Sequence, residues 1–191
     1  MDTFKFYTDL GFWHVIDLEG LDHLFFISTL ALPFAFSKSR KLIWWVTLFT
    51  LGHTLSLVGN VYAEIKFSSY WIELLIPVTI AISAISLLLK KRTSIADKTS
   101  WFFPILTILF GVIHGLGFGR YFSLLIPEES VGSSLLSFAL GVELAQILIV
   151  LGVLILNIIV IDFMKRSRLK WEFLIGAMVL SQALTMIFER I

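Results

Sequence analysis

The residues able to do chemistry sit where polar groups are expensive. Asp22, His23, His53, Glu73, His114 and Glu143 lie inside or at the edges of long apolar stretches. An ionisable side chain in hydrocarbon costs about 3 kcal/mol or more, so such residues mark a site by default. Each has a plainer reading when taken alone. A single histidine can hydrogen-bond a neighbouring helix, Glu73 can be a wet acid near the surface, and Asp22 can serve the free N–H groups of a helix start. Six such residues from five stretches are better explained together, as one polar site. Gln146, His14, Thr54 and Ser56 are placed around it as supporting residues. Imidazole with carboxylate and no sulfur suits borderline divalent ions, namely nickel, cobalt or zinc, and suits copper(I) poorly. The chain has no cysteine, which removes disulfides, thiolate sites, iron–sulfur clusters and thiol nucleophiles. Proton transfer is the other use of Glu and His at such depth.

The elements that must position these residues are read from composition. Of 191 residues, 58% are hydrophobic and only 15% charged, and the mean hydropathy is +0.91. A soluble domain of this length carries nearer a quarter charged residues, so lipid is the expected solvent. The apolar stretches run over 20–36, 42–61, 70–89, 101–118, 135–161 and 171–188. Most approach the roughly 20 residues a crossing helix needs; the first is short and the fifth long enough to tilt or protrude. None alternates in polarity as barrel strands do. The expected fold is therefore all-α: a polytopic membrane bundle of about six transmembrane helices, with a short N-terminal helix at the interface. Residues 1–19 form that interfacial segment, with Phe6, Tyr7, Phe12 and Trp13 among Asp9 and Asp17, and 20–191 form one transmembrane domain. The first residues lack the basic start and cleavage site of a secretory signal.

Charge between the stretches sets an orientation. The first connection has Lys38, Arg40 and Lys41. The third has Lys90, Lys91, Arg92 and Lys98 against Asp97, and the fifth has Lys165, Arg166, Arg168 and Lys170 against Asp162. The other side carries Asp2, Asp9, Asp17, Glu19, Glu64, Glu128, Glu129 and Glu189 against Lys5, Lys66, Arg120 and Arg190. Basic loops stay in the cytoplasm, which puts both termini outside and the polar site in the outer half of the bilayer. Trp44, Trp45, Trp71, Trp101 and Trp171 fall near the ends of stretches, as interfacial anchors do. Gly52, Gly111, Gly115, Gly117, Gly119 and Gly141 flank the site and permit close helix approach or local unwinding. Pro77, four residues after Glu73, removes an N–H and frees the Glu73 carbonyl as an oxygen ligand. A weak repeat pairs Phe49-x-x-x-His53 and Glu73 with Phe110-x-x-x-His114 and Glu143, as two hairpins of one orientation.

At these residues the sequence resembles the HupE/UreJ family of hydrogenase and urease accessory membrane proteins. The matching stretches are Gly20-Leu-Asp22-His23-Leu-Phe-Phe26, Phe49-Thr-Leu-Gly-His53-Thr-Leu-Ser-Leu57, Ile72-Glu73, Phe110-Gly-Val-Ile-His114-Gly-Leu-Gly-Phe118 and Gly141-Val-Glu143-Leu-Ala-Gln146. They cover positions 20–146 in the family's order; Thr54 and Ser56 keep the usual hydroxyls in exchanged places. The resemblance implies a six- to seven-helix membrane protein proposed to pass nickel or a related divalent metal.

Two functions follow. The first is a permease or binding protein for a divalent transition metal, multi-pass in the inner membrane. Its partners are the bilayer, the ion and a cytoplasmic acceptor, with no role for nucleic acid. The acidic outer face would concentrate cations. No nucleotide-binding motif is present, so the driving force would be a gradient or a metal sink. The second is an intramembrane zinc-dependent hydrolase using the same cluster, with a water in an open position and a Glu as general base. Ser28, Thr54 and Ser56 offer hydroxyls but no nucleophile motif. The inner halves of the stretches hold few polar residues, chiefly Thr47, Thr79, Ser83 and Ser86, so a full conduit is not evident.

Overall fold

The computed structural model describes residues 3–17, 20–63, 67–89, 101–126 and 130–191. The basic third connection (Lys90, Lys91, Arg92, Asp97 and Lys98) and Asp2, Glu19, Glu64, Lys66, Glu128 and Glu129 lie outside them. The described residues form seven α-helices and no strand: α1 Thr3–Ile16, α2 Asp22–Ala31, α3 Ser39–Ala63, α4 Ser69–Leu88, α5 Phe102–Leu125, α6 Val131–Asn157 and α7 Arg168–Phe188. Five helical runs are long and apolar enough to cross a membrane: Phe36–Ala63, Ser69–Leu88, Phe103–Leu125, Val131–Phe163 and Arg168–Phe188. Residues 135–161 were expected to overrun a single crossing. They do so because α6 continues through a π-helical turn, Ile158–Phe163.

The first expected span is the exception. Over 20–36 the helix lasts only the 10 residues of α2, about 15 Å at 1.5 Å per residue, half the hydrocarbon thickness. Pro33 explains where it stops. Proline has no N–H to continue the ladder, so the last helical bond is Leu32 N–H to Ser28 O at 3.0 Å, and the chain turns through Pro33 to an extended Ala35 before a short 3-10 turn, Phe36–Lys38. Buried Asn157 at the end of α6 satisfies the carbonyls left over. Its Nδ2 donates to Leu32 O at 3.1 Å and Phe34 O at 3.4 Å, while Trp171 Nε1 donates to Asn157 Oδ1 at 2.9 Å. Arg168 Nη1 reaches Pro33 O at 3.4 Å, which brings the first and fifth basic connections to one end of the bundle.

Two close crossings hold the helices that carry the site. Along α5, Gly111 and Gly115 lie against the backbone of Phe49 and His53 on α3, and a Cβ at either would collide with a carbonyl. Gly52 makes the reciprocal contact with Ile108 O, so the two helices of the repeat touch backbone to backbone. The α5 helix runs unbroken through its glycines, so these serve approach and not unwinding. The second crossing joins α1 to α6: Gly11 faces Phe138 O, and Gly141 faces Thr8 O. Tyr7 adds a hydrogen bond from its hydroxyl to Leu125 O at 2.7 Å. Of the tryptophans, Trp44, Trp71 and Trp101 are exposed, as anchors should be. Trp45 instead is buried and stacked on Phe103 at 5.8 Å with Lys41 over its ring, and Trp171 is partly buried against Asn157.

Candidate metal centre

All four histidines meet. His23 is 4.0 Å from His114 between ring centroids, and His14 lies 5.0 Å from His23, 5.6 Å from His114 and 5.8 Å from His53. Each comes from a different helix. His14 is on the last turn of α1, His23 on the first turn of α2, His53 midway along α3 and His114 midway along α5. Asp22 joins them, its Oδ1 3.4 Å from His23 Nδ1 and its Oδ2 3.6 Å from His114 Nδ1. The Asp22 Oδ1 also accepts the His23 backbone N–H at 2.9 Å, which fixes the carboxylate at the start of α2.

Two triplets have ligand atoms within 4.8 Å of one another: His14–His23–His53 and Asp22–His23–His114. Tetrahedral bonds of 2.0–2.1 Å would set ligand atoms roughly 3.4 Å apart, so either triplet needs only a small closure to hold an ion. Beyond the two Asp22 contacts, the nitrogens are short of partners. His14 Nε2, both nitrogens of His23 and of His53, and His114 Nδ1 are buried without a hydrogen-bond partner. Buried polar atoms in native proteins are nearly always paired, so six imidazole nitrogens without hydrogen bonds around one point fit a metal-binding role.

The surroundings are lopsided. On one side a cavity of about 850 Å³ reaches the cluster, touching His14, Asp22 and His114 and continuing past Glu73, Asn60, Arg120 and Arg190. On the other side Phe26, Phe49 and Phe110 close the floor. All three are buried, with Phe26 stacked on Phe110 at 4.0 Å and Phe49 at 5.4 Å from Phe110. Each lies one turn beyond a histidine of its own helix, so the phenylalanines repeat the histidine layer on the basic side. Phe118 at 4.1 Å from His14 and Phe138 at 5.8 Å from His53 form the walls.

The chain direction explains how His14 arrives. Tyr7 packs on Phe122 and His14 on Phe118, so α1 runs antiparallel to α5. His23 packs on His114 and Phe26 on Phe110, so α2 runs antiparallel to α5 as well. The two short helices thus follow one another in the same direction, with His14, Asp22 and His23 at the break between them.

The other expected residues are placed differently. Glu73 is exposed on the cavity wall. Pro77 is buried inside an uninterrupted α4, so its ring faces protein and not lipid. Glu143 is not brought to the histidines. It accepts a hydrogen bond from Thr47 Oγ1 at 2.6 Å and another from Thr50 Oγ1, both on α3, and Thr50 Oγ1 is 3.3 Å from Gln146 Oε1. Ser56 donates to His53 O at 2.8 Å, packed beneath Gly115. Thr54 is half-buried on α3. Ser28 lines a separate apolar groove between α2, α6 and α7. Sequence reasoning gave His14 only a supporting place, and passed over Asn157 and the phenylalanine floor. The signal for His14 was its position nine residues before His23 across Gly20.

The sequence model of the family described as "HupE / UreJ protein" matches residues 1–190, essentially the whole chain. The chain belongs to the HupE/UreJ family. No curated protein and no solved structure matches it. Membership agrees with the membrane-length helices and with a metal-related accessory role. In this HupE/UreJ chain the Asp22–His23, His53 and His114 stretches all deliver side chains to the cluster, while the Glu143 stretch delivers its carboxylate elsewhere.

Proposed function

We propose that the protein is a multi-pass inner-membrane permease for a divalent transition metal of the nickel, cobalt and zinc class, with the ion as its cargo. The observation that carries this reading is the set of six imidazole nitrogens without hydrogen bonds, gathered where His14, Asp22 and His114 line an open cavity. A stored structural ion would be enclosed on every side, whereas this cluster is open on one side and floored by phenylalanine on the other.

The orientation follows from charge. Lys38, Arg40, Lys41, Arg166, Arg168 and Lys170 gather at the end away from the cavity, so that end belongs in the cytoplasm and both termini lie outside. In that setting α1 and α2, about 21 Å and 15 Å long, make one crossing broken at the site. Broken helices with a binding site at the break are a recurrent transporter device. An ion entering the cavity sheds water onto Asp22 and the histidines and waits above Phe26, Phe49 and Phe110. Passage needs that floor to part. A cytoplasmic acceptor would then take the ion.

The test is metal content of the detergent-purified protein by elemental mass spectrometry, followed by uptake of the bound ion into proteoliposomes. Bound metal with saturable uptake supports the permease. Stoichiometric metal that never crosses would transfer the cluster to the hydrolase reading, which the closed floor also accommodates.

A further inference from the structure

Glu143 needs an explanation of its own. It is half-buried in the middle of α6, and no basic side chain among the described residues is paired with it. The titratable groups on the helices packed against α6 are Lys5, Tyr7, Asp9 and His14 on α1, Asp22 and His23 on α2, and Arg40, Lys41, His53 and Tyr62 on α3. None of them bonds to Glu143; its partners are the two threonine hydroxyls. The carboxylate thus has hydroxyl partners, one of which (Thr47 Oγ1) also lies 3.1 Å from Ile43 O, but no counter-charge, and an uncompensated charge at this depth is costly.

The proton count at Thr50 points the same way. A hydroxyl has one proton. Glu143 and Gln146 Oε1, the latter 3.3 Å from Thr50 Oγ1, therefore compete for that one proton. Gln146 is fully buried, and its Nε2 has no partner. The two Glu143 oxygens, Thr47 Oγ1, Thr50 Oγ1 and Gln146 Oε1 form an all-oxygen set, in contrast to the nitrogen-rich cluster. Hard oxygen donors around a single negative charge select a hard cation, and one positive charge makes the site neutral.

The position is also distinct. Thr50 and Thr47 are one and two turns from His53 along α3, and Glu143 is five residues beyond Phe138, which packs on His53. At 1.5 Å per residue this sets the carboxylate about 5–9 Å from the histidine layer, toward the basic end.

We infer that Glu143, Thr47, Thr50 and Gln146 form a second cation station, separate from the metal cluster, which takes a hard monovalent cation, either sodium or a proton. The site stands on its own geometry. Its role rests on the permease reading, in which it supplies the gradient-driven ion for a chain without a nucleotide-binding motif.

The test uses the full-length protein in detergent, in sodium-free buffer without transition metal. Radioactive sodium binding is measured by equilibrium dialysis, and the protonated-carboxyl stretch by infrared spectroscopy, for the wild type, Glu143→Gln and Thr50→Val. Sodium binding near one per chain, abolished in Glu143→Gln and about tenfold weaker in Thr50→Val, supports the station with sodium as its ion. No sodium but a protonated-carboxyl band that vanishes in Glu143→Gln supports it with a proton. Should Glu143→Gln not fold, Thr50→Val still reports, through the weaker sodium affinity or a shifted band. An ionised Glu143 without sodium overturns the proposal, as does loss of transition-metal binding in folded Glu143→Gln. Because the sodium and infrared readings need no transition metal, their failure is distinguishable from failure of the permease reading.

Discussion

The histidine cluster and the Glu143 pocket share helix α3 and lie one to two turns apart, yet they are finished differently. Around the cluster, six buried nitrogens have no hydrogen-bond partner and the nearest charge is the carboxylate of Asp22, 3.4 Å from His23 Nδ1 and 3.6 Å from His114 Nδ1. Around Glu143 both carboxylate oxygens are hydrogen-bonded and no opposite charge is paired with them among the described residues. One site lacks donors and acceptors; the other lacks a counter-charge. The difference teaches that polar residues of one bundle, on neighbouring turns, need not belong to one site. Nitrogen left open suits a borderline divalent ion, whereas oxygen already bridged suits a smaller adjustment of charge.

The contrast can be broken most sharply at His23, which belongs to both ligand triplets. His23→Ala should weaken transition-metal binding by more than about 100-fold in calorimetry, while the Glu143 infrared bands stay in place. Metal binding at wild-type strength would show that the ion sits elsewhere. Next comes the crossing that supports the cluster. Gly115→Leu forces α3 from α5 and should cost about 3 kcal/mol in detergent unfolding, with metal affinity falling alongside, since His53 and His114 ride on those two helices. Asp22→Asn keeps the oxygen that holds the His23 N–H but drops the charge, so metal affinity should fall by about tenfold with little change in stability. The contrast is sharpened from the other side by Thr47→Val, which removes one donor from Glu143. A stability loss of about 1–2 kcal/mol with unchanged metal affinity is expected; a matching loss of metal would join the two sites. Gly152→Leu should do least, within about 0.5 kcal/mol and with no effect on either site, because a Cβ there meets nothing within 4 Å.

Much of the bundle was legible in the sequence because lipid simplifies the problem. Backbone in hydrocarbon must satisfy itself, so long apolar stretches can only be helices. Five of the six stretches became membrane-length helices. The first did not, and the reason was visible in Pro33, whose missing N–H ends the helical ladder whatever the apolar composition. The contributions of His23, His53 and His114 were legible from type and depth together. His14 was harder, because α1 looks like a surface helix until Gly11 is seen pressed on Phe138. Trp45 was misjudged for a similar reason: position near a helix end says nothing about which side of the helix faces protein.

What the sequence by itself determined is whatever runs along the chain: helicity, the depth of each polar residue at a fixed rise per residue, and the end at which the basic loops gather. Only the tertiary structure decided rotation about each helix axis. These helices are apolar nearly all round, so no hydrophobic stripe announces the inward face. The α3–α5 and α1–α6 glycine contacts set those rotations, turning His14, His53 and His114 toward a common point and Glu143 toward Thr47 and Thr50. Depth is additive along a chain, whereas facing is a property of neighbours.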